Sequence, residues 1–124
     1  ISPQTKLIIN GDIIDRAHGE DIARQTGADG VMIGRGIFKD PFCFAQESPW
    51  PNLAPAQKIE LFKTHISRFA KAYPNRQKNF HSLRRFCKTY IHGFDNASDL
   101  RDKLMNCESI SEMLDVLDVY AAGL

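Results

Sequence analysis

The sequence predicts an α/β segment followed by an all-α one, on three observations. Two short apolar runs near the start, Lys6–Asn10 and Gly30–Ile33, flank one helical stretch. From residue 56 onward, apolar residues recur at helical spacing. Between the two halves Pro41, Pro49, Pro51 and Pro55 punctuate the chain, and neither a continuous helix nor a central strand runs through such a stretch.

Lys6-Leu7-Ile8-Ile9-Asn10 ends at Gly11, and Gly30-Val31-Met32-Ile33 ends at Gly34. Neither run alternates polar with apolar, the pattern of strands buried on both faces of a parallel sheet. Between them, His18 to Thr26 reads as a helix closed by Gly27, a residue suited to the left-handed position after a helix. Strand, helix and strand in this order form a βαβ unit. Two such strands and one helix cannot cover their own apolar surface, so further strands are expected upstream. A TIM barrel takes about 250 residues. Residues 1–47 are therefore read as its last two β/α units, with roughly six units missing. The absence of an initiating Met fits a piece of a longer polypeptide.

Residues 48–55, around Ser48-Pro49-Trp50-Pro51-Asn52, are read as a linker. Beyond it, Ile59, Phe62, Ile66, Phe69, Ala70 and Tyr73 share one helical face, and Phe80, Leu83, Cys87, Tyr90, Ile91 and Phe94 repeat the pattern. Asn96 with Asp99, and Ser109 with Glu112, have the spacing of N-cap and N3 pairs that start two more helices. Residues 56–124 are thus expected to form a small helical bundle.

Of the 124 residues, 43% are hydrophobic and 25% charged, a globular mixture. No apolar run approaches the ~20 residues of a membrane helix, and the N-terminal residues lack the pattern of a signal peptide. Cys43, Cys87 and Cys107 have neither CxxC spacing nor a histidine at metal-ligand distance, so no metal site is expected and a reducing, cytoplasmic setting is. The net charge is only +1, but it is unevenly spread: residues 61–94 hold eight Lys or Arg and no acid, while residues 95–124 hold seven acids and two bases. Such a basic block suits a polyanionic partner.

Both strand ends carry glycine: Asn10-Gly11-Asp12 and Gly34-Arg35-Gly36. In β/α barrels the loops after the last two strands commonly hold phosphate, because glycine lets backbone N–H groups approach it. Arg35 to Lys39 has the length for a short helix whose N-terminus would add to the attraction. The alternative is that these are turn glycines and Arg35 a solvated cation. On a wheel of about 100° per residue, Lys78, His81, Arg85, Lys88 and His92 share one face, with Arg84 at its margin. That stripe fits RNA phosphates, or else a solvated face balanced by the acidic C-terminal helices.

Ile9-Asn10-Gly11-Asp12-Ile13, followed by Thr26-Gly27-Ala28-Asp29-Gly30-Val31-Met32-Ile33-Gly34-Arg35-Gly36 and Asp40-Pro41-Phe42, resembles the final FMN-binding segment of the tRNA-dihydrouridine synthases. Leu83-Arg84-Arg85-Phe86, Tyr90-Ile91-His92-Gly93-Phe94 and Asp99-Leu100-Arg101 are similar to the helical tRNA-binding domain that follows the barrel in these enzymes. The resemblance implies reduction of uridine to dihydrouridine in tRNA, with FMN as cofactor and NADPH (or NADH) as reductant. It implies FMN-phosphate contacts at Asn10, Gly11, Asp12, Gly34 and Arg35, with Asp12 serving mainly to accept hydrogen bonds within its turn. It also implies tRNA contacts at Lys78, Arg84, Arg85, Lys88 and His92. Family members often have Arg-Lys-His where this chain has Arg84-Arg85-Phe86, and an aromatic residue at Thr89. The family's proton donor is a cysteine on a loop of the middle barrel, matched by none of the three cysteines here. No catalytic residue is therefore expected in this chain, and the chain alone is expected to be inactive. Two rivals stand beside this assignment. One is the end of another phosphate-binding barrel, such as a dihydroorotate dehydrogenase or a different flavin oxidoreductase; the other is a stand-alone helical RNA-binding module.

Overall fold

In the computed structural model, which describes residues 2–76 and 78–124, strand β1 (Ile8–Asn10) runs parallel to β2 (Gly30–Met32). Ile8 lies opposite Gly30, Ile9 opposite Val31 and Asn10 opposite Met32. Helix α1 (Arg16–Thr26) connects them. Its start is set by Asp15, whose carboxylate accepts the His18 N–H at 2.8 Å. Its end is set by Gly27, left-handed at φ 72°, whose N–H donates to the Ala23 carbonyl.

The two faces of this sheet are treated differently. Ile9 and Val31 point toward α1, which comes so close at Gly19 that an added Cβ would lie 2.7 Å from Val31 Cγ2. Ile13, Ile33 and Cys43 complete the core on that side. Ile8 and Met32 belong to the other face and remain 60% and 55% exposed, although both are large and apolar. Past β2 the chain makes a 3₁₀ turn (Arg35–Phe38) and, after Pro41, a second one (Trp50–Asn52) whose Trp50 is buried near Phe42.

The fold is mostly helical with this one small sheet, and it separates into two compact units, residues 1–52 and 53–124. The second unit is built on α2 (Pro55–Ala72), with proline in the first turn, where its missing N–H costs nothing. Ile59, Phe62 and Ile66 of α2 are fully buried, as the spacing predicts. They pack with Leu83, Ile91, Leu100, Leu104, Met113 and Leu117 among the buried core residues. Helices α4 (Ala97–Met105) and α5 (Ile110–Ala122) complete the unit.

The region expected to be one helix across residues 78–94 is different. It is a 3₁₀ helix (Phe80–Phe86) running into a single α-helical turn, α3 (Cys87–Tyr90). A 3₁₀ helix turns about 120° per residue, so residues three apart eclipse, and Phe80, Leu83 and Phe86 make one inward row. The apolar residues thus face inward as expected, but by a different winding.

Two caps also differ from their sequence signatures. Asn96 precedes α4 in a left-handed conformation (φ 57°), not the extended one that aims a side-chain oxygen at the first amides, and it makes no side-chain cap. Ser109 does cap α5, accepting the Glu112 N–H at 3.1 Å. The Glu112 carboxylate, however, returns to the N–H of Glu108 and not to that of Ser109.

Candidate functional site

Asn10, Gly11, Asp12, Gly34 and Arg35 line one cleft of about 640 Å³ at the ends of β1 and β2, joined there by Gly36 and Lys39. Parallel strands deliver both loops to the same end of the sheet. Gly11 (φ 136°) and Asp12 (φ 50°) turn the first loop through the left-handed region before Ile13 anchors it in the core. Gly36 lets the second loop pass against the first: a Cβ there would stand 2.5 Å from the Ile14 carbonyl oxygen and 2.8 Å from Ile33 Cγ2. By contrast, a Cβ at Gly34 or Gly11 would meet no atom within 4 Å, so at those points bare backbone borders the cleft.

The 3₁₀ turn opens at Arg35, with the Ile37 N–H donating to the Gly34 carbonyl at 3.3 Å. Four residues are too few for a sizeable helix dipole. What the turn offers an anion is its leading N–H groups together with the cations Arg35 and Lys39. The Asp12 carboxylate does not serve its own turn as expected; it pairs across the cleft with the Arg35 guanidinium, both side chains being solvent-exposed. Gly36 and Lys39 were not among the site residues drawn from the sequence. The Gly34-Arg35-Gly36 triplet was the available signal for the first, and Lys39 carries none beyond its charge.

In the second unit Lys78, His81, Arg85, Lys88 and His92 are all exposed. They do not form one helical stripe, because Lys78 precedes the 3₁₀ helix and His92 follows α3, next to the left-handed Gly93 (φ 79°). The cations instead run along the outside of an irregularly wound segment. Lys78 Nζ lies 5.2 Å from the centre of the Tyr73 ring, and the Arg85 guanidinium 6.0 Å from that of Phe86.

Arg84 departs from the expectation of an RNA contact. It is half-buried, its Nη2 donates to the Cys107 carbonyl at 3.1 Å, and its buried Nε has no partner among the described residues. Arg101 plays a similar part, donating to the Ile91 carbonyl at 2.8 Å. Replacing Arg84 by alanine is expected to destabilise the helical unit by about 1 kcal/mol, below the range for a charged hydrogen bond because removing the unpartnered Nε offsets part of the loss. Urea unfolding followed by circular dichroism measures this, and a gain in stability would contradict the bracing role.

His65 and the three cysteines are turned inward. His65 sits between the rings of Phe86 and Tyr90, with Nδ1 3.2 Å from the Tyr90 hydroxyl, and burial lowers its pKa. All three cysteines are buried. Burial, reinforced by nearby Cys107, raises the Cys87 thiol to about 11, and burial is also the main cause that raises Cys43 and Cys107. Such thiols stay protonated near neutral pH and are poor nucleophiles. No helix among the described residues is long and apolar enough to cross a membrane.

A family model described as dihydrouridine synthase matches residues 1–123. The chain is 44% identical over 122 residues to a protein of Staphylococcus epidermidis named probable tRNA-dihydrouridine synthase, covering 98% of this chain and 37% of that protein. A Staphylococcus aureus protein of the same name is 46% identical over 122 residues, with the same coverage. Probable tRNA-dihydrouridine synthase 2 of Bacillus subtilis is 39% identical over 120 residues, covering 97% of this chain and 36% of its own length. The chain therefore spans little more than a third of the curated relatives it matches.

Proposed function

The chain belongs to the dihydrouridine synthase family, and on that premise we propose that it is the C-terminal part of a flavin-dependent tRNA-dihydrouridine synthase. The observation that carries this is the cleft. Two glycine-bearing loops border it with open backbone at Gly11 and Gly34, and Arg35 and Lys39 supply positive charge. That donor set fits the phosphate of FMN. Gly34 and Gly11 would let backbone N–H groups reach the phosphate oxygens, Asn10 would add a side-chain amide, and Arg35 a charge-assisted contact. Asp12 would keep the guanidinium at the cleft mouth and itself stay off the phosphate, since two anions repel. Bound there, FMN would supply the hydride that reduces the C5–C6 bond of uridine, and NADPH or NADH would recharge it.

Residues 1–47 would be the last two β/α units of a TIM barrel, 48–55 its linker and 56–124 the tRNA-binding domain. The exposed apolar face bearing Ile8 and Met32 supports the barrel, whose interior is filled by just such side chains from neighbouring strands. In the helical domain Lys78, Arg85, Lys88 and His92 are the exposed groups suited to tRNA phosphates. The proton donor would come from outside this chain, because all three of its own thiols are buried. A cytoplasmic location accompanies this function.

The test uses the full-length polypeptide that carries this chain. Purified protein should show flavin absorbance and, with NADPH, should form dihydrouridine in a tRNA transcript that lacks it. A colourless protein that still binds tRNA would favour an RNA-binding module. A yellow protein that leaves the transcript unmodified would favour a different flavin oxidoreductase.

A further inference from the structure

We propose that the helical unit holds one unstacked nucleotide of RNA in a hollow between the end of α2, the loop that follows it and the start of α5. This rests on the tRNA assignment above and adds a binding site to it. The hollow measures about 660 Å³, within the range of sites that take a small ligand. One wall is aromatic: Tyr73 is 39% exposed, Phe69 backs it at 5.0 Å between ring centres, and Phe80 lines the hollow alongside. Lys78 Nζ stands 5.2 Å from the centre of the Tyr73 ring. Asn79, Glu108 and Ser111 supply a polar rim.

Each feature answers one part of a nucleotide. An exposed ring stacks any base, since every base has a π-face. The Lys78 ammonium lies over that ring on a flexible chain, free to swing off the face to the phosphate that follows the base as the base takes its place. The rim can meet a base edge, with the Glu108 carboxylate accepting from an imino or amino group and the Asn79 Nδ2 group donating, its Oδ1 being taken by the His81 N–H at 2.9 Å. Glu108 also repels phosphate, so the backbone must lie on the Lys78 side. A polyanion is favoured over an apolar peptide by the charge of this part of the chain, residues 61–94 having eight Lys or Arg and no acid. A paired duplex has no free base for the ring, so the hollow would select RNA with unstacked loop nucleotides.

The experiment compares an unmodified tRNA transcript with a blunt RNA duplex of similar mass, using the full-length protein and its Tyr73→Ala, Tyr73→Phe and Lys78→Ala variants. Base–aromatic stacking is worth roughly 5- to 150-fold in affinity per base. Tyr73→Ala should lose affinity for tRNA in that range, with no change in duplex affinity and no change in the salt dependence of tRNA binding. Tyr73→Phe should retain wild-type affinity, and the unchanged duplex affinity of Tyr73→Ala excludes misfolding as the cause of its loss. Lys78→Ala should reduce the slope of log affinity against log salt by about 0.7–0.9. Unchanged tRNA affinity in Tyr73→Ala, or equal losses on tRNA and duplex, would overturn the nucleotide site while leaving tRNA binding standing. If the wild-type protein binds neither RNA, the tRNA assignment falls, and this site with it.

Discussion

Substituting Gly34 with valine in the full-length protein should leave the first unit folded and strip it of flavin. The cleft has room for the change: an added Cβ at Gly34 meets nothing within 4 Å. The branched side chain would instead occupy the cleft where backbone N–H groups are to meet the phosphate. Losing one hydrogen bond to a charged group costs about 1.5–3 kcal/mol, so flavin affinity should fall roughly 10- to 150-fold.

Gly36→Val is the contrasting case. Its Cβ would overlap the Ile14 carbonyl and Ile33, and such overpacking typically costs about 1–3 kcal/mol of stability. That variant should melt at lower temperature whether or not flavin is present. Arg35→Ala should cost less stability than Gly36→Val, because its exposed pairing with Asp12 contributes at most about 1 kcal/mol. Flavin content per protein, read from absorbance after gel filtration, decides the matter. Full occupancy in Gly34→Val would remove the cleft as the phosphate site.

Reversing Arg85 and Lys88 to glutamate should weaken tRNA binding without disturbing the fold, since both side chains are exposed and the inward row of Phe80, Leu83 and Phe86 is untouched. Each phosphate contact contributes about 0.7–0.9 to the slope of log affinity against log salt. Two lost contacts should flatten that slope by about 1.4–1.8 and, at 0.1 M salt, lower affinity roughly 25- to 60-fold. Extracting a uridine from folded tRNA costs a few kcal/mol, which distributed phosphate contacts would help to offset. The double variant should therefore fail in the half-reaction that consumes tRNA while its flavin is still reduced by NADPH at the wild-type rate. Equal slowing of both half-reactions, or lower affinity at unchanged salt slope, would assign these cations a different role.

The parts of this chain legible in its sequence are those decided locally. β1, β2 and α1 follow from apolar runs, from Asp15 at the start of the helix and from Gly27 at its end, all within a few residues of the effect. The cleft residues were legible because glycines at two strand ends, on parallel neighbours, must come together. What stayed hidden depends on partners far along the chain. The Asp12–Arg35 pair joins positions 23 residues apart, and so does the bond from Arg84 to the Cys107 carbonyl.

Nothing local distinguishes an arginine that will reach solvent from one that will brace the core. The 3₁₀ winding of Phe80–Phe86 was half visible, since Phe80, Leu83 and Phe86 are spaced by three. Leu83 to Cys87 and Cys87 to Ile91 are spaced by four, however, and fit an α-helix equally well. The left-handed backbone of Asn96 is likewise silent in a composition that suits an ordinary cap.

The uncovered face of the β1–β2 sheet has a consequence for biosynthesis. If these are the closing strands of a barrel, every unit made before them must wait on the ribosome with its own apolar surface open. Closure becomes topologically available only once Ile8 and Met32 have emerged, late in synthesis. The helical unit, whose core residues all lie within residues 59–117, has no such dependence and can nucleate on its own sequence. The vulnerable interval for aggregation or chaperone capture therefore ends with the arrival of two three-residue strands.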